Sequence, residues 1–231
     1  MAYGLFITCL ADTLAPEVGR ATVRVLDRAG FELEFPREQT CCGQMHFNAG
    51  HLDAARTLAG RFVEVFDGYE AIVAPSGSCA AHVRTHVPKL VAEDRGVPGR
   101  TRELSEFLLE RIGVVDVGST FRGSLTYHPT CHSLRLLRLG SGPVSLLQAV
   151  PGAEVVELPD AEECCGFGGT FAVTNAEVST AMLDAKIESI VASGADAVCA
   201  CDASCLMHIG GGLRRRGSHV RAVHLAEVLA P

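Results

Sequence analysis

Short apolar runs alternate with amphipathic stretches along this chain, and the same order occurs twice. Residues 5–8 form a brief apolar run that ends at Cys9, and residues 16–29 place Val18, Ala21, Val25 and Leu26 at helical spacing before Gly30 stops the pattern. Residues 31–35 alternate as a strand, Pro36 opens a loop, Leu52–Phe66 is a second amphipathic helix, and Ala71–Ala74 reads as a buried strand followed by a loop over 75–79. The second half repeats this with residues 124–127, 144–150, 154–158, 176–192 and 197–200. A helix over 103–112, with Leu104, Phe107, Leu108 and Ile112 on one face, and a loop to Thr120 join the halves, while residues 220–229 read as a strand and short helix. Strands alternating with helices imply parallel crossover units and a three-layer α/β arrangement. The expectation is two tandem, related α/β units, 1–118 and 119–231, in a pseudo-two-fold relation with cysteine-bearing loops at strand ends.

The cysteines carry the repeat. They fall at 9, 41, 42 and 79, then at 131, 164, 165 and 205, with Cys199 and Cys201 left over. Each half reads Cys, gap, Cys-Cys-Gly, gap, Cys, with gaps of 31 and 35 residues in the first and 32 and 38 in the second. The offset is 122 residues from Cys9 to Cys131 and 123 from Cys42 to Cys165, so a duplicated unit is the economical explanation. Each cysteine is expected at the carboxyl end of a strand, where open α/β sheets bind ligands.

Composition adds exclusions. A net charge of −7 and only a three-residue basic run, Arg214 to Arg216, give no signal for nucleic acid or an anionic membrane. No apolar run approaches the ~18 residues of a membrane span, and the N-terminus lacks the features of an export signal, so a cytoplasmic protein with reduced cysteines is expected. Ten cysteines in that setting point to metal ligation or redox chemistry. Zinc commonly uses Cys-x-x-Cys pairs, absent here, whereas adjacent thiolates suit a multi-iron cluster, and the glycine after each pair permits a tight turn. From residues alone, a cluster, a zinc ion in one half, or buried apolar cysteines all remain open.

The doubled pattern resembles the cysteine-rich CCG domain family, found in heterodisulfide reductase and in the iron–sulfur subunit of glycolate oxidase. Within it, Thr8-Cys9-Leu10, Cys41-Cys42-Gly43-Gln44, Pro75-Ser76-Gly77-Ser78-Cys79, the segment from Cys164 to Phe171 and the segment from Cys205 to Gly211 are similar to the signature segments of the lactate utilization A proteins. The resemblance spans the chain. It implies an iron–sulfur subunit of a cytoplasmic complex that oxidises L-lactate and passes electrons onward with partner subunits. The implied ligands are Cys9, Cys41, Cys42 and Cys79, and Cys131, Cys164, Cys165 and Cys205, most simply for 4Fe–4S clusters. In heterodisulfide reductase relatives a Cys-x-x-Cys supplies a fifth thiolate to a non-cubane cluster; Ser76 and Asp202 stand at that position here, so five-thiolate clusters do not carry over and either oxygen is a possible ligand. A thiol–disulfide reductase subunit and a non-catalytic metal-binding protein are the alternatives.

Blander readings accompany several residues. Cys199 and Cys201 alternate along an apparent strand, so at least one of them reads as buried, with Cys201 a reserve ligand. His46 and His132 read as hydrogen-bonded loop histidines, and His82 and His86, four apart on a helix, as a solvated pair without a role. Gly166-Phe167-Gly168-Gly169 lacks the third glycine of a dinucleotide loop, and Gly210-Gly211-Gly212 reads as a helix end or tight turn.

Overall fold

A computed structural model describes residues 2–113 and 118–230. Among the described residues, eight short strands form two four-stranded parallel sheets. The first comprises β1 (Tyr3–Leu5), β2 (Leu33–Glu34), β3 (Ala71–Ala74) and β4 (Thr101–Glu103) in the order β2-β1-β3-β4. The second comprises β5 (Gly123–Tyr127), β6 (Ala153–Val156), β7 (Ala197–Ala200) and β8 (Arg221–His224) in the order β6-β5-β7-β8. The registers correspond: Tyr3 pairs with Ala71 as Leu125 pairs with Ala197, and beyond the strands Phe6 N–H donates to Val73 C=O at 2.9 Å as His128 N–H donates to Cys199 C=O at 2.8 Å. The fold is thus α/β with two related units. Part of the linker read between them, residues 114–117, lies outside the described residues.

Helices supply the crossovers. In the first half they include α1 (Cys9–Leu14), α2 (Pro16–Arg28), α3 (Gln44–Asn48), α4 (Leu52–Phe66), α5 (Gly77–Thr85), α6 (Val87–Leu90) and α7 (Leu104–Arg111). In the second they include α8 (Gly142–Gln148), α9 (Phe171–Thr174), α10 (Ala176–Ala192), α11 (Ala203–Arg215) and α12 (Leu225–Leu229), with a π-helical turn at Ser133–Leu137. α2 starts with Pro16 at its first position, where the missing N–H costs nothing, and buries Val18, Ala21, Val25 and Leu26 along one stripe.

One hydrophobic cluster unites the halves: Val25, Leu26, Leu104, Phe107 and Leu108 pack with Leu125, Tyr127, Leu146, Leu225 and Leu229. Tyr3, Phe31 and Phe107 add edge-to-face contacts with centroids 5.0–5.5 Å apart. The sheets are therefore held against one continuous core, which fixes their cysteine-bearing ends relative to each other.

Two expectations need correction. Cys9, Cys79 and Cys205 lie in the first turns of α1, α5 and α11, not in loops, because each strand turns directly into a helix at an extended cap residue: Thr8, Ser76 and Asp202. The three glycines at 210–212 lie inside α11, not at a turn. A Cβ on Gly212 would stand 2.3 Å from Ile187 Cδ1, so its absence lets α11 seat closely on α10.

Candidate metal centre

The order β2-β1-β3-β4 reverses direction between β1 and β3, the crevice where open parallel sheets receive ligands. Cys9 follows β1 and Cys79 follows β3, so the chain delivers two thiols to that crevice from adjacent strands. Cys41 and Cys42 arrive from the irregular segment between β2 and α3. Gly43 has φ +89° and Gly166 φ +84°, a region open to glycine, and each turn brings a backbone N–H onto sulfur: Gly43 to Cys41 Sγ at 3.4 Å and Gly166 to Cys164 Sγ at 3.3 Å.

In the first set Cys9 and Cys41 sulfurs are 3.6 Å apart, and Cys42 and Cys79 sulfurs 3.3 Å apart. These separations exceed the ~2.05 Å of a disulfide, and all ten cysteines are free thiols. Hydrogen bonds from Cys42 and Cys9, helped by the Gly43 N–H, hold the Cys41 thiol far below its ordinary range. The same bond raises Cys9, and bonds to Cys41 and Cys79 together with complete burial raise Cys42. The second set repeats this: Cys131, Cys165 and the Gly166 N–H favour a Cys164 thiolate while Cys131 and Cys165 are pushed up. Each set thus favours a thiolate at the first cysteine of its Cys-Cys-Gly turn, and a bound metal would displace the remaining protons.

The strand-end sites expected separately for each half open onto one cavity of about 130 Å³ that all eight cysteines line. At its floor Ser76 and Asp202, equivalent residues, form an antiparallel bridge with each other. Asp202 Oδ2 accepts from Ser78 N–H at 2.8 Å and Ser76 Oγ at 3.3 Å, while Oδ1 accepts from Ser204 Oγ at 2.7 Å. Ser76 Oγ in turn caps α5 by accepting from Cys79 N–H at 3.2 Å.

The sequence model of the CCG family, described as a cysteine-rich domain, matches residues 3–84 and 125–210, which carry all eight of these cysteines. The chain belongs to the CCG cysteine-rich domain family. Its similar relatives include lactate utilization protein A of Bacillus cytotoxicus, 44% identical over 99% of this chain and 98% of that protein. Lactate utilization protein A of Oceanobacillus iheyensis is 41% identical over 99% of this chain and 96% of that one. Among solved structures, a putative Asp/Glu racemase from Yersinia pestis aligns with 99% of this chain and 95% of its own at 12% identity and a TM-score of 0.41.

Ser76 and Asp202 are engaged with backbone and with each other, as cap residues and as a clasp between halves. Cys201 does not line the cavity; it is buried beneath it, 3.1 Å from Ser133 Oγ. Cys199 packs in the shared core. His132 lines the cavity with Nε2 3.0 Å from Gln44 Nε2, and His46 sits in α3. His82 is not solvated: it is fully buried against Phe47 and His86, and burial lowers it to about 4. Periodicity gave no sign of His128, which is fully buried, lowered to about 4 by burial, and grouped with Cys165 and Cys205 so that the three ligand atoms lie within 4.8 Å of one another, able to hold a metal ion.

Proposed function

We propose that this chain is the iron–sulfur subunit of a cytoplasmic complex that oxidises L-lactate, acting with partner subunits. The observation that carries this reading is the convergence of two four-cysteine sets on one cavity. The full-length similarity to lactate utilization A proteins supports lactate as the substrate. The donor set fits the group: thiols from three segments per half, drawn into sulfur contact, offer the soft anionic ligands that iron–sulfur clusters take. Cys9, Cys41, Cys42 and Cys79 would hold one cluster, within a unit 1–118, and Cys131, Cys164, Cys165 and Cys205 the other, within 119–231. When bound, such clusters supply one-electron transfer. The protein's own part is to orient the thiolates through the Cys-Cys-Gly turns, to direct the Gly43 and Gly166 N–H groups at sulfur, and to keep apolar surface around Cys42 and Cys165. Oxidising a 2-hydroxy acid removes two electrons, and two centres facing one cavity match that requirement.

The test is metal and sulfide analysis with electron paramagnetic resonance on anaerobically purified protein, followed by lactate-dependent electron transfer in the reconstituted complex. Iron with sulfide, lost together with electron transfer in Cys42→Ala and Cys165→Ala, is the expected result. Zinc or no metal, with both variants still supporting lactate oxidation, overturns it. Turnover of a disulfide by the chain alone would instead establish thiol–disulfide reduction.

A further inference from the structure

The two cysteine sets stand on different floors. In the first half Phe6 packs in one cluster with Cys42 and Cys79, and its ring meets Phe62 edge-on at 4.9 Å. The matching registers place His128 where Phe6 stands: Phe6 and His128 donate to the equivalent carbonyls of Val73 and Cys199, and each lies three residues before the first cysteine of its set. The helices correspond as well. Gly43 lies against Ala55 and Leu58 of α4, and Gly166 against Ser179 and Met182 of α10, a constant offset that puts Lys186 opposite Phe62. An aromatic pair under the first set is thus replaced by an imidazole and an ammonium under the second.

Each replacement would be costly without a purpose. Lys186 is 1% exposed, and its ammonium is held by Asp160 C=O at 2.7 Å and Ala161 C=O at 3.4 Å. His128 is 0% exposed, and neither ring nitrogen has a hydrogen-bond partner. A buried imidazole with both nitrogens unpaired is destabilising unless something binds it. What lies beside it is a pair of thiols, Cys165 and Cys205, each close enough for all three donor atoms to share one metal atom.

We propose that His128 is a nitrogen ligand in the second centre, joining Cys165 and Cys205 on a single transition-metal atom, so that the two centres of the chain are chemically unequal. The first centre, with Phe6 at the equivalent place, has only sulfur there. A neutral imidazole beside thiolates selects a metal of borderline softness such as iron or zinc. On iron, His128 would add to the thiolates of the second set a neutral donor that the first set lacks, and the buried ammonium of Lys186 favours the reduced state there, so the two centres would differ in potential. This inference does not need the lactate reading, since it concerns what the second set binds and not what it oxidises.

His208, in α11, meets Phe167 edge-on at 5.8 Å and is the control imidazole: the experiment is X-ray absorption at the edge of whichever metal the anaerobically purified full-length protein carries, on the wild type, His128→Phe and His208→Ala. Phe is the residue the first half uses at this place, so the variant keeps a packing the fold already accommodates. The expected result is imidazole scattering in the wild type and in His208→Ala that is lost in His128→Phe, with metal at the second set bound at least about tenfold more weakly in competition with a chelator. The metal-to-sulfide ratio then tells a lone ion from a cluster corner, and either ratio, with nitrogen bound, upholds the proposal. An all-sulfur shell in the wild type overturns it whether or not the variant folds, as does an unchanged spectrum in His128→Phe. Neither of those results would touch cluster binding by the cysteines, and absence of lactate-dependent electron transfer would not touch the nitrogen ligand.

Discussion

Glu103 ends β4 and caps α7, where its Oε2 accepts from Ser105 N–H at 2.8 Å and Glu106 N–H at 3.3 Å, while Oε1 has no partner. Complete burial raises its carboxyl from 4.5 to about 7, against the lowering effect of those bonds. The native state therefore keeps a proton that the unfolded chain releases between pH 4.5 and about 7. Stability from this group is full below 4.5 and is lost as pH rises through the folded value. A shift of this size corresponds to about 3 kcal/mol at roughly 1.4 kcal/mol per unit, and the group has no solvent exposure to screen it. Glu103→Gln keeps a side-chain oxygen for the Ser105 N–H and removes the charge. Urea denaturation of both proteins, apo and reduced, should show matched stabilities at about pH 4 and a variant more stable by about 3 kcal/mol at about pH 8. His82, His128 and His224, each lowered to about 4 by burial, act in the opposite sense, adding stability as pH rises toward 6.5, but they do so in both proteins and cancel in the difference. Parallel pH profiles for the two proteins would refute the reasoning.

Gly166→Ala combines φ +84° with a new Cβ 2.5 Å from Ser179 C=O, so it should cost more than the roughly 1–3 kcal/mol of backbone strain and lower metal content. Gly43→Ala, with its nearest atom at 3.4 Å, should cost only the strain; thermal melts and metal analysis of both variants check this. Asp202→Ala removes the cap of α11 and leaves Ser78 N–H unpaired between the halves, a loss of about 2–4 kcal/mol by denaturant titration. Phe107→Ala opens the core shared by both sheets and should cost about 3–5 kcal/mol in the same assay, with a single transition retained because that core is continuous.

Elements with a strong local signal were legible residue by residue. Leu52–Phe66 carries a long amphipathic pattern, Ala176–Ala192 is a long run free of glycine and proline, and Ala71–Ala74 and Ala197–Ala200 are continuous apolar runs, buried at every position. β4, Thr-Arg-Glu, carries no such run; its pairing with β3 is imposed by tertiary structure. α5 and α11 were obscured by Pro75-Ser76-Gly77 and by three consecutive glycines, residues whose turn propensity is overridden once the strand ends at a capping side chain. The cysteine sets were visible as spacing, but their meeting in one cavity was not, because it depends on how the sheets dock. His128 has no periodic context. Laying the halves over one another at the Cys9-to-Cys131 offset would have exposed it, since it falls opposite Phe6.

The bridge between Ser76 and Asp202 joins equivalent positions, so it lies on the axis that relates the halves. In a dimer of identical single repeats, that axis would force the same residue onto both sides. Two aspartates would face each other as like charges, and two serines would leave no anion to receive the Ser78 N–H. Fusion of the repeats into one polypeptide removes that constraint, because each side is encoded separately. A donor can then meet an acceptor at the one point where a symmetric ancestor had to meet itself, and the same freedom allows Phe6 and His128, or Phe62 and Lys186, to diverge without disturbing the shared scaffold.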